Sequence, residues 1–430
     1  MAATPFKRVH ALWEPQEHVY LAYPTSQYVS LNKVHGRTLQ DIQADVVKVI
    51  QHSVKVIYLV NNEKEMYDFD KYLEKCGADL DAIHYLQIPH CDIWLRDIGP
   101  IFVEATDVKG RQMLTVPWPG FDNWGHAPYI RNNSWSRCDI PNYLQRDLAE
   151  ARGYPWMRVL HRVHPNSMGR FEAKSDQTFI LEGGSTSFNG GGSMITTQEV
   201  VEERNPNLRK RDVDAIFANY YGVGNVIRLP KGLIEDWPLW RGPIRVGDQD
   251  KVWTPIVTTG HVDEFCRFVG PRTVLLAEVH GTQDGVIERI NRSRLLKAEQ
   301  VLRESKNERG EPLEIIRIPA APVQLMEMDT KDPQFTQLQA IRGSKLEHKQ
   351  SAPVLIAASY VNYLLTNDVV VMPKYHWPGE TPDEWEQVDR DAKEVMEQVF
   401  PGRTVVQIDN LHINAGGGGF NCSSCNEPLL

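Results

Sequence analysis

Cysteine is scarce in this sequence: six residues in a chain of 430, at positions 76, 91, 138, 266, 422 and 425. So few cysteines in so long a chain do not make a disulfide framework. The first twenty residues also lack the apolar segment that a secretory signal requires. We therefore expect reduced thiols and a cytoplasmic protein.

Long hydrophobic runs and clusters of positive charge are absent as well. No stretch approaches the roughly 18 uninterrupted apolar residues of a membrane-spanning helix. The 47 Lys and Arg residues are dispersed among 56 Asp and Glu residues, and the net charge is -9. This pattern argues against nucleic acid or a membrane as a partner. It favours, weakly, a small cationic molecule.

The sequence does contain a recurring order of elements: strand, strand, helix, strand. One copy, from about residue 177, reads TFILEG, SMITT, VDAIFANYYG and NVIRLP; others begin near residues 100, 262 and 354, and a degraded copy begins with HVYLAYP. Apolar β-branched runs predict the strands, and apolar spacing of period 3.6 predicts the helices. Because one unit cannot bury its own apolar face, five units predict a closed, pseudo-fivefold α/β assembly. We expect residues 1–430 to form a single domain.

Polar residues of particular types stand at the ends of these units. Asp97 precedes the second unit, and Glu182 ends the first strand of the third. His261 and Asp263 begin the fourth unit, and Cys422 follows the last strand of the fifth. Equivalent ends of like units converge on the axis of a ring. We therefore expect one Cys, one His and three carboxylates to meet in a central pocket.

Taken singly, each of these residues also has a structural explanation. An Asp beside a Gly-Pro turn is more often a turn or cap residue than a catalyst. A His-x-Asp pair on one strand face could be a structural hydrogen bond. The pair Cys422 and Cys425 could be a redox or zinc pair, although the sequence holds no second CxxC motif. Five such residues at the ends of units make coincidence the poorer explanation.

These residue types match the chemistry of a guanidinium group. That group is a planar cation with five N–H donors, and binding it away from water requires carboxylates that each accept two bonds. We predict that Asp97 and Asp263 flank it. A free Cys has a pKa of about 8.5, which a cationic substrate and a nearby protonated His both lower. Neither a metal nor an organic cofactor is required.

The motifs WLRDIGP, FDNWG, LEGGS, TTGHVDEFCRFV, AASYVN and AGGGGFNC resemble, in that order, motifs of the agmatine deiminase family. This family belongs, with bacterial-type peptidylarginine deiminases, to the guanidine-modifying pentein superfamily. The resemblance spans nearly the whole chain. It implies a five-bladed α/β propeller of ββαβ units around a central active site. It also implies a cysteine-dependent hydrolase that converts agmatine to N-carbamoylputrescine and ammonia through an amidino-cysteine intermediate.

The resemblance also implies a role for each residue at the ends of the units. Cys422 falls on the nucleophile and His261 on the general acid and base. Asp97 and Asp263 fall on the carboxylates that hold the guanidinium. Glu182 is expected to orient His261 or to contact the substrate.

Further residues are predicted around this set. Trp94 and Trp124 are candidate pocket walls, and Gly418 and Gly419 would let the chain approach the substrate closely. Glu199 is expected to be an acid behind the residues that touch the substrate. A homodimer is a further expectation.

Three segments depart from the family pattern. Asn421 stands before the predicted nucleophile, where agmatine deiminases usually have His. Residues 237–255 form a Trp-rich insertion, which we expect to cover the pocket. The stretch AYPTSQYVSLN lacks the Arg, Asp and Trp that the family normally shows there.

Several alternatives remain open at this point. An amidinotransferase shares the Cys, His and Asp core but passes the amidino group to an amine. A deiminase of this type could also act on an arginine derivative, a peptidyl arginine or a specialised guanidino metabolite. A metal-dependent ureohydrolase would need several Asp and His ligands at short spacing, which the sequence lacks. A non-catalytic binding protein could keep the same residues.

Overall fold

The structure is a computed structural model that describes residues 6–24, 34–107, 109–130, 140–162, 176–248, 250–280 and 285–430. Its strands, in chain order, are β1 (Phe6–Val9), β2 (Gln16–Ala22), β3 (Lys55–Val60), β4 (Ile83–Gln87), β5 (Val103–Thr106), β6 (Gln112–Trp118), β7 (Trp156–Arg158), β8 (Leu160–Arg162), β9 (Asp176–Thr178), β10 (Thr186–Phe188), β11 (Ser193–Thr197), β12 (Asn225–Leu229), β13 (Ile244–Arg245), β14 (Lys251–Val252), β15 (Cys266–Phe268), β16 (Thr273–Glu278), β17 (Glu314–Pro319), β18 (Leu325–Asp329), β19 (Ser351–Leu355), β20 (Leu364–Leu365), β21 (Val369–Lys374), β22 (Thr404–Asp409) and β23 (Cys425–Pro428).

The α-helices are α1 (Leu39–Ile50), α2 (Glu63–Lys75), α3 (Leu95–Ile98), α4 (Leu144–Arg152), α5 (Gln198–Arg204), α6 (Lys210–Tyr221), α7 (Val286–Glu304), α8 (Pro333–Ala340), α9 (Glu384–Val399) and α10 (Leu411–Ala415). None of them, among the described residues, combines the length and the apolar character that crossing a bilayer demands.

Four sheets share one topology. In β5-β6-β7, β10-β11-β12, β15-β16-β17 and β20-β21-β22, the first two strands pair antiparallel and the last two pair parallel. An α-helix connects each parallel pair: α4, α6, α7 or α9. The predicted α/β class and this order of elements are confirmed.

The degraded fifth copy is completed by the end of the chain. Strand β23 pairs antiparallel with β2, with Cys425 opposite Tyr20, and β2 pairs parallel with β3 through α1. The first strand of this unit therefore comes from the residues that follow Cys422. The C-terminal segment is a buried structural element and not a loose tail.

Two first strands were predicted in the wrong place. The unit expected to begin near residue 354 begins with β20 instead, and the strand at Ser351–Leu355 pairs with β18. TFILEG was expected to be the first strand of the third unit, but that strand is β10, which follows the Gly-Gly turn. The strand β9 (Asp176–Thr178) overlaps TFILEG only at Thr178, and it pairs with β8. A bridge joins Ile180 to Gly120. The apolar run is buried by this packing between units, so its composition resembles that of a sheet strand.

Helix α1 illustrates how local sequence and burial agree. Thr38 caps its N-terminus by accepting a hydrogen bond from the Asp41 amide, and Asp41 accepts one from Thr38 in return. This capping box satisfies amide groups that the first turn leaves without partners. The helix buries Leu39, Ile42 and Val47 in the largest hydrophobic cluster, which also contains Cys422. Packing of this kind holds the turns of the candidate site in place.

Candidate active site

The predicted site residues lie on short turns at the ends of strands. Asp97 is in α3, and Glu182 precedes the turn Gly183–Ser185. His261 and Asp263 lie at the turn that leads into β15, and Cys422 lies between α10 and β23. All five side chains are at most 1% exposed. The structure brings them together in a closed interior.

Gly184 lies at the centre of this group. A Cβ atom added to Gly184 would lie 2.7 Å from His261 Nδ1 and 2.9 Å from both Asp263 Oδ2 and Asp97 Oδ1. The three polar groups therefore face one small space that exists because this residue has no side chain. LEGGS was recognisable as a motif, but Gly184 within it had no predicted role.

Cys422 is surrounded by groups from two other segments. Its Sγ accepts a hydrogen bond from Asn362 Nδ2 at 3.0 Å and lies 3.6 Å from Asp263 Oδ2. It also lies 3.7 Å from Glu264 Oε1, an oxygen that accepts a second hydrogen bond from Asn362. Asn362 comes from the AASYVN motif, and Glu264 directly follows Asp263. Neither residue had a predicted role.

The charge around Cys422 is negative in the free protein. Burial raises the pKa of the Cys422 thiol well above its usual value, and Asp263 and Glu264 raise it further. Burial also raises the pKa of Glu264 well above its usual value, and the neighbouring carboxylate of Asp263 raises it further. The expected lowering of the thiol pKa is therefore not a property of the free site. A cation bound between the aspartates would supply it.

His261 is held in its charged form by carboxylates. Its Nε2 lies 2.8 Å from Glu182 Oε2, and its Nδ1 lies 3.7 Å from Asp97 Oδ1. Burial lowers the pKa of His261, but Asp97 and Glu182 outweigh this effect and raise it to about 9. The imidazole therefore carries its proton at neutral pH.

Glu182 is held by a buried arginine from α5. Arg204 Nε donates to Glu182 Oε1 at 2.7 Å and Nη2 donates to Oε2 at 3.2 Å. Burial raises the pKa of Glu182, but Arg204 and His261 together lower it to about 2. Arg204 had no predicted role, although Glu199 in the same helix was singled out. Glu199 itself faces Arg241 and Lys231, at 3.4 and 3.8 Å, at the protein surface.

Asp97 is oriented by Trp124 and by the peptide group of Gly184. Trp124 Nε1 donates to Asp97 Oδ2 at 2.7 Å, and Gly184 N donates to Oδ1 at 2.9 Å. Burial raises the pKa of Asp97 to about 6, with His261 opposing the rise. Trp124, predicted as a pocket wall, thus acts on a carboxylate that faces the site.

The backbone around Trp124 is strained. Asn123, Trp124 and Gly125 have φ angles of 55°, 54° and 77°, a left-handed conformation that a Trp rarely adopts. Behind this loop the ring of Trp240, from the predicted insertion, stacks on Tyr129 at 4.7 Å between centroids. A strained loop that carries a site residue, and is packed from behind, is common at functional sites.

The insertion 237–255 is partly core. Trp253 is 4% exposed and its Nε1 donates to the carbonyl of Ser344 at 2.7 Å. Leu239 is fully buried in the same hydrophobic cluster. The expectation that this segment covers the pocket stays a prediction. Most of the divergent stretch AYPTSQYVSLN, namely residues 25–32, lies outside the described residues.

The glycine run packs against the site and not in open space. A Cβ on Gly418 would lie 2.9 Å from both Cys422 Cβ and the ring of Trp94. A Cβ on Gly419 would lie 2.6 Å from Asn362 Oδ1. These two glycines therefore let Trp94 and Asn362 close on the nucleophile loop. Their predicted contact with substrate stays a prediction.

Asn421, the residue before Cys422, positions a carboxylate. Its Nδ2 donates to Asp263 Oδ2 at 2.7 Å. Cys425, the other member of the CxxC pair, is a free thiol that donates to the carbonyl of Pro100 at 3.3 Å. It belongs to strand β23 and packs in the core.

One group of metal-type ligands occurs among the described residues. Asp263, Glu264 and Cys422 each offer an atom within 4.8 Å of the others. Two carboxylates and a thiol are ligands that a borderline-soft divalent ion such as zinc accepts. Because Asp263 and Cys422 are also the predicted clamp and nucleophile, an ion bound there would compete with a guanidinium.

The family model of Porphyromonas-type peptidyl-arginine deiminase matches residues 8–242 and 246–428. The chain belongs to this family. The break in the match, residues 243–245, lies inside the predicted insertion. The family resemblance that the motifs indicated is therefore confirmed.

Relatives of known name extend this family assignment. An agmatine deiminase of Ectopseudomonas mendocina is 29% identical over 359 residues, covering 82% of this chain and 79% of the relative. One from Pseudomonas aeruginosa is 28% identical over 427 residues, covering 98% and 95%. The solved agmatine deiminase of Enterococcus faecalis is 21% identical, covers 100% of this chain and 98% of its own, and superposes with a TM-score of 0.72. At that identity, the superposition shows that the fold is shared.

Proposed function

We propose that this family member is a cysteine-dependent deiminase that hydrolyses the guanidinium group of agmatine, giving N-carbamoylputrescine and ammonia. The observation that carries the proposal is the convergence of Cys422, His261, Asp97 and Asp263 around Gly184. Two named relatives that cover most of the chain are agmatine deiminases.

Two buried atoms are available for the substrate. His261 Nδ1 and Asp263 Oδ1 have no hydrogen-bond partner among the described residues. Buried polar atoms are normally paired, and an unpaired one at a candidate site calls for a ligand. A guanidinium that donates to the two aspartates would place its carbon beside Cys422 and one nitrogen beside His261.

The reaction follows from these contacts. Binding of the cation lowers the pKa of Cys422, whose thiol releases its proton to solvent, and the resulting thiolate attacks the guanidinium carbon to form a C–S bond. His261, as imidazolium, protonates the departing nitrogen, which leaves as ammonia. The neutral imidazole then takes a proton from water, whose oxygen attacks the amidino carbon. Collapse of this adduct breaks the C–S bond and releases the ureido product. Proton transfer by a positioned group contributes roughly 10²- to 10⁴-fold in rate.

The surrounding residues keep these groups in position. Glu182, held by Arg204, orients the imidazole through Nε2 and leaves Nδ1 facing the substrate. Asn362 donates a hydrogen bond to Cys422 Sγ, and Asn421 donates one to Asp263. Each of these contacts is made in the free protein, so little rearrangement is needed when substrate binds.

The charge of the site favours agmatine among guanidino compounds. Glu264 and Asp236 add buried carboxyl groups near the clamp, and Asp236 interacts electrostatically with His261 and Asp263. Asp236 Oδ1 has no partner among the described residues. A substrate with a second positive charge suits such surroundings, whereas the α-carboxylate of an arginine derivative is repelled.

A substrate panel tests this proposal. We expect ammonia release from agmatine without any added amine, with a kcat/KM more than about tenfold above that for arginine or a peptidyl arginine, because an unpaired charge in the site is costly. Release that depends on an acceptor amine would instead identify an amidinotransferase, an alternative that the named relatives do not favour. Turnover of arginine in preference to agmatine would reject the assigned substrate.

We also propose that residues 1–430 form one five-bladed propeller. Support comes from five sheets that share the antiparallel-then-parallel order, and from β23, which joins the last unit to the first. The cytoplasmic location and the homodimer stay predictions.

Loss of one clamp charge is expected to reduce turnover strongly. We expect Asp263→Asn to lower kcat/KM for agmatine by about 10²-fold or more, because two charge-assisted hydrogen bonds to the cation are weakened. The Asn oxygen can still accept from Asn421, so the fold should persist. The same substitution at Asp212, an exposed partner of Arg209, is the control and should leave the kinetics unchanged. Kinetics near those of the wild type in Asp263→Asn would contradict the clamp.

Removal of the Glu182 charge is expected to change the pH profile. His261 has a raised pKa of about 9, so its acidic form is present below that pH and is lost as the pH rises through it. Glu182→Gln removes one of the two carboxylates responsible, so the alkaline limb of kcat/KM should move to lower pH. Glu199→Gln, which alters a surface ion pair, should leave the limb in place. An unmoved limb in Glu182→Gln would show that this acid does not act on His261.

A further inference from the structure

A second cavity adjoins the candidate active site. It has a volume of about 70 Å³ and shares Asp263 and Asn421 with that site. The described residues that line it do not include Cys422, His261 or Asp97. The cavity therefore extends on the other side of the layer formed by Asp263 and Asn421.

Arg267 presents an unused edge to this cavity. It is 2% exposed, its Nη1 donates to the carbonyls of Val361 and Tyr363 at 3.1 and 2.7 Å, and its guanidinium lies 4.0 Å from the centre of the Tyr363 ring. Its Nε and Nη2 have no partner among the described residues. These two nitrogens form the side-on fork of a guanidinium, whose parallel N–H bonds match two oxygens of a planar anion.

Arg96 supplies a second cationic group to the same cavity. Its Nε donates to the carbonyl of Asn421 at 3.3 Å and its Nη2 to Asn426 Oδ1 at 2.5 Å, which leaves Nη1 without a partner among the described residues. Burial lowers the pKa of Arg96, and the charge of Arg267 lowers it further. Arg267 is buried and Arg96 is half-buried, and two guanidinium groups that repel each other in such surroundings are costly unless an anion lies between them.

The other charged residues that line the cavity do not neutralise the positive charge of the two guanidinium groups. Asp263 is one carboxylate against two cations, and its Oδ2 already accepts from Asn421. His10 also lines the cavity, but its ring nitrogens face Glu14 and Glu104 at 3.0 and 3.3 Å. Neither Arg96 nor Arg267 forms an ion pair with a carboxylate of the described residues.

We propose that this cavity binds a small planar oxyanion of the carboxylate class, such as formate or bicarbonate. The fork of Arg267 binds two of its oxygens, and Arg96 Nη1 donates to one of them. A volume of about 70 Å³ accommodates such an ion with one or two water molecules. Because Arg96 also donates through its backbone N to the Cys422 carbonyl at 3.0 Å, the anion would lie one residue away from the nucleophile loop.

Thermal unfolding of the full chain at constant ionic strength tests this proposal. Anion binding to the folded state raises Tm with concentration until the site is saturated. We expect a saturable rise in Tm with sodium formate or sodium bicarbonate, relative to sodium chloride, in the wild-type protein. A larger rise in Tm with formate or with bicarbonate identifies which of the two anions the cavity prefers. Either preference supports the site. An equal response to chloride, or no saturable response, would overturn it.

Variants locate the binding. Arg267→Met, which keeps an unbranched apolar stem and removes the guanidinium, should weaken formate binding by about tenfold or more, since charge-assisted bonds are lost. Arg267→Lys should retain charge but lose the preference for formate over chloride, because Lys has no planar fork. Arg158→Met, which removes an arginine stacked on Trp118 away from the cavity, should bind formate like the wild type. If Arg267→Met does not fold, loss of formate binding in Arg96→Gln carries the same weight; unchanged binding in a folded Arg267→Met or Arg96→Gln would reject the site.

Discussion

Cys422→Ser is expected to abolish ammonia release from agmatine, with kcat lowered by more than about 10⁴-fold. A serine hydroxyl ionises far less readily than a thiol and is a much weaker nucleophile for a guanidinium carbon. The two side chains differ little in size, and the site is closed and well packed around this position. The variant should therefore fold like the wild type and still bind substrate. Steady-state ammonia assays and thermal unfolding measure both properties.

The control is the same substitution three residues further along the chain. Cys425→Ser retains a donor to the Pro100 carbonyl, and the side chain does not face the site, so activity should stay near that of the wild type. Acid quenching of wild-type protein during turnover should also trap an amidino adduct on the peptide that contains Cys422. Substantial ammonia release by Cys422→Ser would refute the proposed nucleophile, and so would an adduct found on a different cysteine.

Gly184→Ala is expected to lower kcat/KM for agmatine by more than about 10³-fold. The added methyl group would lie within 3 Å of His261 Nδ1 and of both aspartates, so it occupies the space proposed for the guanidinium. Displacement of reacting groups by even 1 Å can cost about 10²-fold, and three groups are displaced here. The substitution adds a single methyl group to the wild-type protein. Binding of agmatine by the variant can be measured separately from turnover.

Gly224→Ala is the matched control for this variant. A Cβ at Gly224 has no heavy atom within 4 Å, and the backbone there is not in the left-handed region. Its kinetics and thermal stability should match those of the wild type. If Gly184→Ala folds and turns over agmatine at a normal rate, the guanidinium does not bind where we place it.

Much of the order of strands and helices could be predicted from the sequence because it depends on local patterns. The apolar run before α7 and the run after it became β16 and β17, as their composition indicated. The prediction was wrong for TFILEG because an apolar β-branched run is equally suited to a sheet strand and to packing between two units. Pairing with β11 selected Thr186–Phe188 instead, and that choice depends on the neighbouring strand.

The degraded unit shows the same limit. Its missing strand is CNEP, a short polar segment with no strand signal of its own. It becomes a strand because it lies against β2, some 400 residues earlier in the chain. Cross-strand hydrogen bonds and a buried neighbour can impose strand structure on a sequence of low propensity.

The site divides in a similar way between residues with a chemical signature and residues without one. Cys422, His261 and the two aspartates could be recognised because guanidine chemistry requires those residue types. Arg204, Asn362 and Gly184 could not, although Asn362 and Gly184 lie in quoted motifs and Arg204 lies in the same helix as Glu199. Their roles depend on which groups they touch, and those partners are distant in sequence.

The sequence by itself determined the α/β class, the repeated order of elements, the family and the kinds of groups available for reaction, because these follow from local composition and spacing. Only the tertiary structure decided how those groups influence one another. Burial and neighbouring carboxylates raise the pKa of Cys422 while they hold the proton on His261, and Gly184 leaves the space that the charged groups share. Desolvation and charge interactions act over a few ångströms, so their sign is set by packing and not by position along the chain.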